Sequence, residues 1–319
     1  MTQFLTKLSA LLVALLCTII PNMNYEAKDS EKVLLNAAVI SDVHLDPTIF
    51  TSEKMFVKGL EDISRNKTEN DLLIVAGDLT NNGEKEVLEN FYEIIKANNP
   101  AKEWVIAPGN HDIGHADGYT NDQTRQWLIE YNNKYTGSAN KNIYYSKNVK
   151  GYTFIVLADE SEDGWDACHL SEKQLSFLDS KLKKATKNGK PAFVICHWPL
   201  EHTNGQSAVY DSCIDGEYAK KLRNVLEKYK NVFFISGHMH EGINGELFKN
   251  IFGFSNVETI GGVNYINVPA YGTANRYGIP WNCTGFQMEV YEDQVIFRGR
   301  HYMDSRWYAF NEYSVPLVK

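Results

Sequence analysis

Residues 34–45 read LLNAAVISDVHL, an apolar run from Leu34 to Ile40 broken only by Asn36 and followed by Ser41-Asp42-Val43-His44. A run of this kind fits a strand covered on both faces rather than one with a solvated side. The same combination of apolar run and polar ending recurs along the chain. Leu72 to Ala76 leads into Gly77-Asp78, and Trp104 to Ala107 into Gly109-Asn110-His111-Asp112. Ala192 to Cys196 leads into His197, and Val232 to Ser236 into Gly237-His238-Met239-His240. Thr153 to Ala158 reads as a further strand. Between the strands, Val87, Leu88, Phe91, Ile94 and Ile95 recur at helical spacing, as do Leu175, Leu178 and Leu182 after the capping-box-like Ser171 to Gln174. Alternation of this kind predicts a layered α/β fold. After Glu246 the rhythm changes to β-like segments at Val263 to Val268, Gly285 to Tyr291 and Gln294 to Arg300, which predicts antiparallel strands closing a sheet.

The chain has 319 residues, 43% of them hydrophobic, enough for a substantial core. Its net charge of -8 supplies no basic field for a polyanion, so specific nucleic-acid binding is not expected. No Pro-, Gly- or Ser-rich linker and no repeat divides the chain after its first segment, and 31–319 reads as one domain.

Residues 1–30 read differently. Lys7 precedes an apolar run from Leu8 to Ile20 that ends at Pro21, the layout of a secretory signal. The run is short for a bilayer span, which favours a cleaved signal over a retained anchor. The expected location is therefore secreted or extracytoplasmic, with membrane association only if the segment is retained. Cleavage would leave Cys168, Cys196, Cys213 and Cys283 in an oxidising compartment. Cys196, inside its apolar run, reads as a buried thiol, and Cys168 with Cys213 is the candidate disulfide.

The polar residues sit where predicted strands end, the place where open α/β sheets present ligand sites. An Asp after a strand is commonly a turn former or helix cap, and a lone His is commonly satisfied by hydrogen bonds. Five strand-end coincidences are hard to attribute to turns. Asp42-x-His44 and His238-x-His240 would each place two side chains on one side of an extended segment. Carboxylates, imidazoles and one amide make a mixed hard and borderline ligand set, suited to Mn, Fe or Zn. One carboxylate can bridge two ions, so Asp42, His44, Asp78, Asn110, His197, His238 and His240 imply a two-metal centre.

These blocks together resemble the signature of the calcineurin-like metallophosphoesterases over roughly residues 35–245. The resemblance implies a four-layer double β-sandwich flanked by helices. It implies Asp42, His44 and His240 on one metal, Asn110, His197 and His238 on the other, and Asp78 bridging. It also implies hydrolysis by a metal-bridging hydroxide, with His111 stabilising the phosphoryl group or protonating the leaving oxygen. After Gly77-Asp78 the chain reads Leu79-Thr80-Asn81-Asn82-Gly83, where protein serine/threonine phosphatases carry an Asp-Arg pair. Purple acid phosphatases would place a Tyr at Asn81. The motif is instead similar to class III cyclic-nucleotide phosphodiesterases and their exported relatives, although Asn81 replaces the acid that would orient His111.

The expected substrate is a small phosphoester, a diester slightly preferred to a monoester, with nucleotides and cell-envelope phosphoesters as candidates. The alternative is a noncatalytic metal- and phosphate-binding protein. Outside the signature, His202, Tyr210, Tyr271 and Trp281 are weighed as pocket residues against ordinary packing.

Overall fold

Strand β1 (Leu35–Ile40) is buried along its whole length and occupies the middle of a six-stranded sheet. The computed structural model describes residues 26–114, 116–162, 167–206, 212–243, 249, 253–273 and 283–319. In the first sheet β1 pairs in parallel with β2 (Leu72–Ala76), which pairs in parallel with β3 (Glu103–Ala107). On the other side of β1 lie β10 (Thr284–Val290), β11 (Gln294–His301) and β12 (Arg306–Pro316), each antiparallel to its neighbour. The expected antiparallel C-terminal closure is thus present.

The second sheet has the order β4-β5-β6-β7-β9-β8. Its parallel centre is β5 (Tyr152–Val156), β6 (Ala192–Ile195), β7 (Val232–Ser236) and β9 (Val263–Asn267), with β4 (Tyr145–Val149) and β8 (Val257–Ile260) antiparallel at the edges. Strand β9 departs from expectation: it joins β7 in parallel instead of the antiparallel group.

Alternation along the strands separates two apolar layers. Leu35, Ala37 and Val39 of β1 join Phe154, Phe193, Phe233 and Phe286 in a cluster between the sheets. Ala38 and Ile40 face the other way, onto Phe56 and Leu60 of α1 (Ser52–Ser64) and Phe91 and Ile95 of α2 (Lys85–Asn98). Leu175, Leu178 and Leu182 of α5 (Glu172–Ala185) and Leu222 of α6 (Gly216–Leu226) cover the other sheet. Helices α3 (Asn110–Ile113) and α4 (Asn121–Thr136) follow β3. Helix, sheet, sheet and helix make the four layers of the double β-sandwich.

Contacts with the domain begin ahead of residue 31. The Ala27 amide donates to Thr68 Oγ1 (3.1 Å), that of Lys28 to Glu289 Oε2 (3.1 Å) and that of Asp29 to the Tyr291 hydroxyl (3.1 Å). The Leu8–Ile20 run lies outside the described residues. Among the described residues no helix is long and apolar enough to cross a membrane.

The expected Cys168–Cys213 disulfide is not formed. Among the described residues the four cysteines are buried thiols in no disulfide, and the thiol beside Cys168 is Cys196, just past β6. Burial pushes the Cys168 thiol well above its usual pKa.

One buried ion pair ties a helix to the first sheet. Arg300 in β11 donates from Nε and Nη2 to the two carboxylate oxygens of Asp62 in α1, both at 2.8 Å, and Arg300 is fully buried. Removing one partner leaves an uncompensated charge in the interior. Asp62→Ala is expected to lower unfolding stability by about 3–5 kcal/mol, measured by urea titration. A loss below about 1 kcal/mol, the range of an exposed pair, would contradict it.

Candidate metal centre

The ladder of β1 and β2 continues past the strand ends and sets the positions of the first three candidate ligands. The Asp42 amide donates to Gly77 O (3.0 Å), that of His44 to Asp78 O (3.0 Å) and that of Leu45 to Leu79 O (3.0 Å). Backbone φ is positive at Asp42 (55°), His44 (45°), Asp78 (51°), His238 (69°) and His240 (49°). The expectation of extended Asp-x-His and His-x-His segments is therefore wrong. Each pair converges because both members turn through the left-handed region, a conformation costing roughly 1–3 kcal/mol per residue that clusters at functional sites.

Close approach between turns requires glycine in two places. A Cβ on Gly109 would lie 2.1 Å from Asp78 Oδ1, and one on Gly237 would lie 1.9 Å from Ser41 Oγ and 2.6 Å from Asp42 Oδ2. Buried Asp112 fastens the second and third turns together. Its carboxylate accepts from the amides of Leu79 (3.1 Å), Thr80 (3.0 Å) and Gly109 (2.8 Å). Burial, with the Asp78 charge nearby, raises the Asp112 carboxyl to about 6 despite those bonds.

The structure brings all seven expected ligands to one place, in two groups. Asp42, His44, Asp78 and His240 form the first, and Asp78, His197 and His238 the second, with ligand atoms in each within 4.8 Å of one another. Asn110 joins the second group, its Oδ1 lying 3.0 Å from His238 Nδ1, which is 3.3 Å from His197 Nε2. Asp78 belongs to both groups through one atom: Oδ2 is 3.3 Å from His44 Nε2 and 3.2 Å from His197 Nε2. That oxygen is buried and has no hydrogen-bond partner. On the first side, His44 Nε2 and His240 Nε2 are 3.0 Å apart, and His240 Nε2 is 3.2 Å from Asp42 Oδ1.

Two imidazole nitrogens at that separation repel through their lone pairs unless a proton or cation lies between them. The donor set, the bare Asp78 oxygen and the buried carboxylates therefore fit a pair of metal ions. Two of the rings have their distal nitrogens held: His197 Nδ1 donates to Ala76 O (2.8 Å), and His240 Nδ1 is 3.2 Å from Thr273 Oγ1. Each bond leaves Nε2 for the metal side.

The protonation states carry the same requirement. Burial opposes ionisation of Asp42, but the hydrogen bond and charge of His240 outweigh it and bring the carboxyl to about 2. Burial likewise opposes ionisation of Asp78, yet His197 and His44 hold it well below the carboxylate range. His197, though burial lowers it, is raised to about 10 by Asp78 and Asp42. Burial lowers His44 to about 4 and, with His197 close by, holds His238 well below the usual imidazole range.

His111 stands beside this centre. Its ring centroid is 4.5 Å from that of His44, its amide donates to Asp78 Oδ1 (3.0 Å), and its Nδ1 donates to the main-chain oxygen of Asn81 (2.7 Å). A peptide carbonyl thus takes the position expected of an acid. The His240 side chain is 22% exposed, whereas Asp42, Asp78 and His197 are at most 1% exposed, so His240 marks the open edge of the described ligand cluster.

Other expectations fare differently. Tyr271 is not a pocket residue: it is buried, its hydroxyl donating to Met55 O and Phe56 O (3.3 Å each). His202 is exposed, with positive φ (61°). Tyr210 and Trp281 lie outside the described residues. Sequence reasoning assigned nothing to Thr273 or Asp112. Asp112 lay inside a quoted block, whereas Thr273, distant in sequence from every ligand, carried no signal.

Residues 35–242 match the family described as Calcineurin-like phosphoesterase. The chain belongs to that family, hydrolases of phosphoester bonds. Among curated relatives, it is 29% identical to the 3′,5′-cyclic-nucleotide phosphodiesterase alr5338 of Nostoc sp. over 66% of this chain and 74% of that protein. It is 26% identical to the 3′,5′-cyclic adenosine monophosphate phosphodiesterase CpdA of Haemophilus influenzae over 68% of this chain and 74% of that protein. Among solved structures, a dimetal phosphatase from Danio rerio superposes with a TM-score of 0.63 at 14% identity, over 90% of this chain and all of that one. At that identity the similarity concerns the fold.

With its pKa raised to about 10, His197 of the metal-free protein is protonated at neutral pH, and ligation requires the neutral ring. Metal uptake at pH 7.5 is thus expected to release about one proton per chain, and affinity should rise with pH up to that pKa. Calorimetry in buffers of different ionisation enthalpy measures the release. Uptake with no proton release would contradict the assignment of His197.

Proposed function

We propose that this chain is an exported, dinuclear metal-dependent phosphodiesterase acting on small diesters of the cyclic-nucleotide class. The observation that carries the reading is Asp78 Oδ2, a buried oxygen without a hydrogen-bond partner, set between His44 Nε2 at 3.3 Å and His197 Nε2 at 3.2 Å. Asp42, His44 and His240 would hold one ion, and Asn110, His197 and His238 the other, with Asp78 shared. Bound there, the metals supply Lewis acidity toward phosphoryl oxygens and an acidified water as nucleophile.

The chain's own residues do the rest. The Asn81 carbonyl keeps His111 Nδ1 protonated, so Nε2 is the nitrogen that takes up and delivers a proton. That ring contributes a proton to the departing oxygen. The ladder between the first two turns and the Asp112 bonds hold the ligands rigid. Cyclic-nucleotide phosphodiesterases among its relatives and the Gly-Asp-Leu-Thr motif support the diester preference. The apolar leader from Leu8 to Ile20 supports export.

The test uses protein stripped of metal and reloaded with Mn, Zn or Fe. Metal-dependent hydrolysis of bis-p-nitrophenyl phosphate should exceed that of p-nitrophenyl phosphate. On a 3′,5′-cyclic nucleotide, Asp78→Ala should lose metal and turnover together, whereas His111→Ala keeps the metals and loses roughly 10²–10⁴ in kcat. Full occupancy by elemental analysis with every ester left intact would favour a binding protein instead. Cell fractionation tests export, and an intact cytoplasmic chain would refute it.

A further inference from the structure

The resemblance implies an acid where this chain has Asn81, and a main-chain carbonyl stands in its place. Asn81 is fastened at two points. Its amide donates to Leu45 O (3.1 Å), extending the ladder from β1 and β2, and its side-chain Nδ2 donates to Asp46 Oδ2 (3.0 Å). Its main-chain oxygen is the acceptor for His111 Nδ1 (2.7 Å).

Asp46 is itself held from three sides. Oδ1 accepts from the amide (2.8 Å) and hydroxyl (2.6 Å) of Thr48, and its own amide donates to Ser52 Oγ (3.1 Å) at the start of α1. It is 7% exposed. Asp46 lies two residues beyond His44, and Asn81 three beyond Asp78. The carboxylate therefore clamps together the two turns that bear candidate ligands, on the flank where the His111 ring rests.

We propose that Asp46 is the positioning residue for His111, acting through Asn81: its carboxylate fixes the Asn81 peptide so that the carbonyl meets His111 Nδ1. The proposal rests on the phosphodiesterase reading for its kinetic consequence. The action is geometric. The Asn81 side-chain amide and main-chain carbonyl are not conjugated, so Asp46 sets where the acceptor lies and not the charge upon it. Without the clamp the peptide can turn, the ring loses its fixed orientation, and the proton on Nε2 no longer meets the leaving oxygen.

The experiment compares two esters that differ in their need for a proton. A p-nitrophenolate departs without one, whereas the ribose oxygen of a 3′,5′-cyclic nucleotide departs as an alkoxide and needs one. Asp46→Ala and Asn81→Ala should keep both metals and cleave bis-p-nitrophenyl phosphate at close to the parent rate. On the cyclic nucleotide, kcat should fall about 10–100-fold with KM little changed. Combined with His111→Ala, Asp46→Ala should cost nothing further. In the zinc-loaded protein the His111 Nδ1 proton, assigned through its disappearance in His111→Ala, should be visible by NMR and vanish in Asp46→Ala.

Equal losses on both esters, or loss of metal, would overturn the proposal in favour of a merely structural clamp. So would an impaired His111→Ala beside an Asp46→Ala of parental rate, which leaves the phosphodiesterase reading intact. If the parent cleaves neither ester, that reading fails, and the NMR signal decides the positioning: its persistence in Asp46→Ala overturns the proposal, and its loss supports it.

Discussion

Buried negative charge is the constraint on which the rest of this molecule depends. Asp42 and Asp78 are at most 1% exposed, and the ionised form of each is favoured by imidazoles around it. Buried carboxylates are sustained by convergent hydrogen-bond donors, by pairing with positive charge or by metal coordination. Four histidines and an asparagine amide crowd around them: His44 and His240 set two ring nitrogens 3.0 Å apart, a contact that needs a proton or a cation between them. A pair of cations resolves both problems at once, which is why the same residues read as ligands by charge, by spacing and by protonation.

Holding such a cluster together needs a rigid frame, and the double sandwich provides it at the strand ends. The parallel ladder of β1 and β2 runs on through Asp42, His44 and Leu45, and the Gly237 amide donates to His197 O (2.9 Å) across the β6 and β7 ends. Asp112 and Asp46 then lock turns to one another with side-chain carboxylates. Backbone strain at five ligand positions is sustained by these bonds and by the packed layers beneath. Stability of the fold and geometry of the site are thus one problem, solved by the same hydrogen bonds.

Much of this was legible in the sequence, for physical reasons. Buried strands carry near-continuous apolar runs, so β1, β2, β3, β5, β6 and β7 announce themselves, although β3 lies at a sheet edge. The two edge strands of the second sheet do not. Strands β4 (YSKNV) and β8 (VETI) are partly exposed, and their polar residues read as loop. The course of β9 was misjudged because alternation tells strand from helix but not parallel from antiparallel. The candidate ligands converge for a reason other than the one expected: Asp-x-His was read as extended backbone, and positive φ at non-glycine residues leaves no mark in sequence. The acceptor for His111 was invisible because it is a main-chain oxygen, the same for any residue at position 81.

The central claim is that Asp78 Oδ2 is shared between two ions. Anomalous diffraction from crystals grown of metal-stripped, manganese-reloaded protein tests it most directly. The account predicts two manganese peaks about 3.5–4 Å apart, one ringed by Asp42, His44 and His240, the other by Asn110, His197 and His238, with the Asp78 carboxylate between them. A single peak, or two peaks that do not share Asp78, would contradict it.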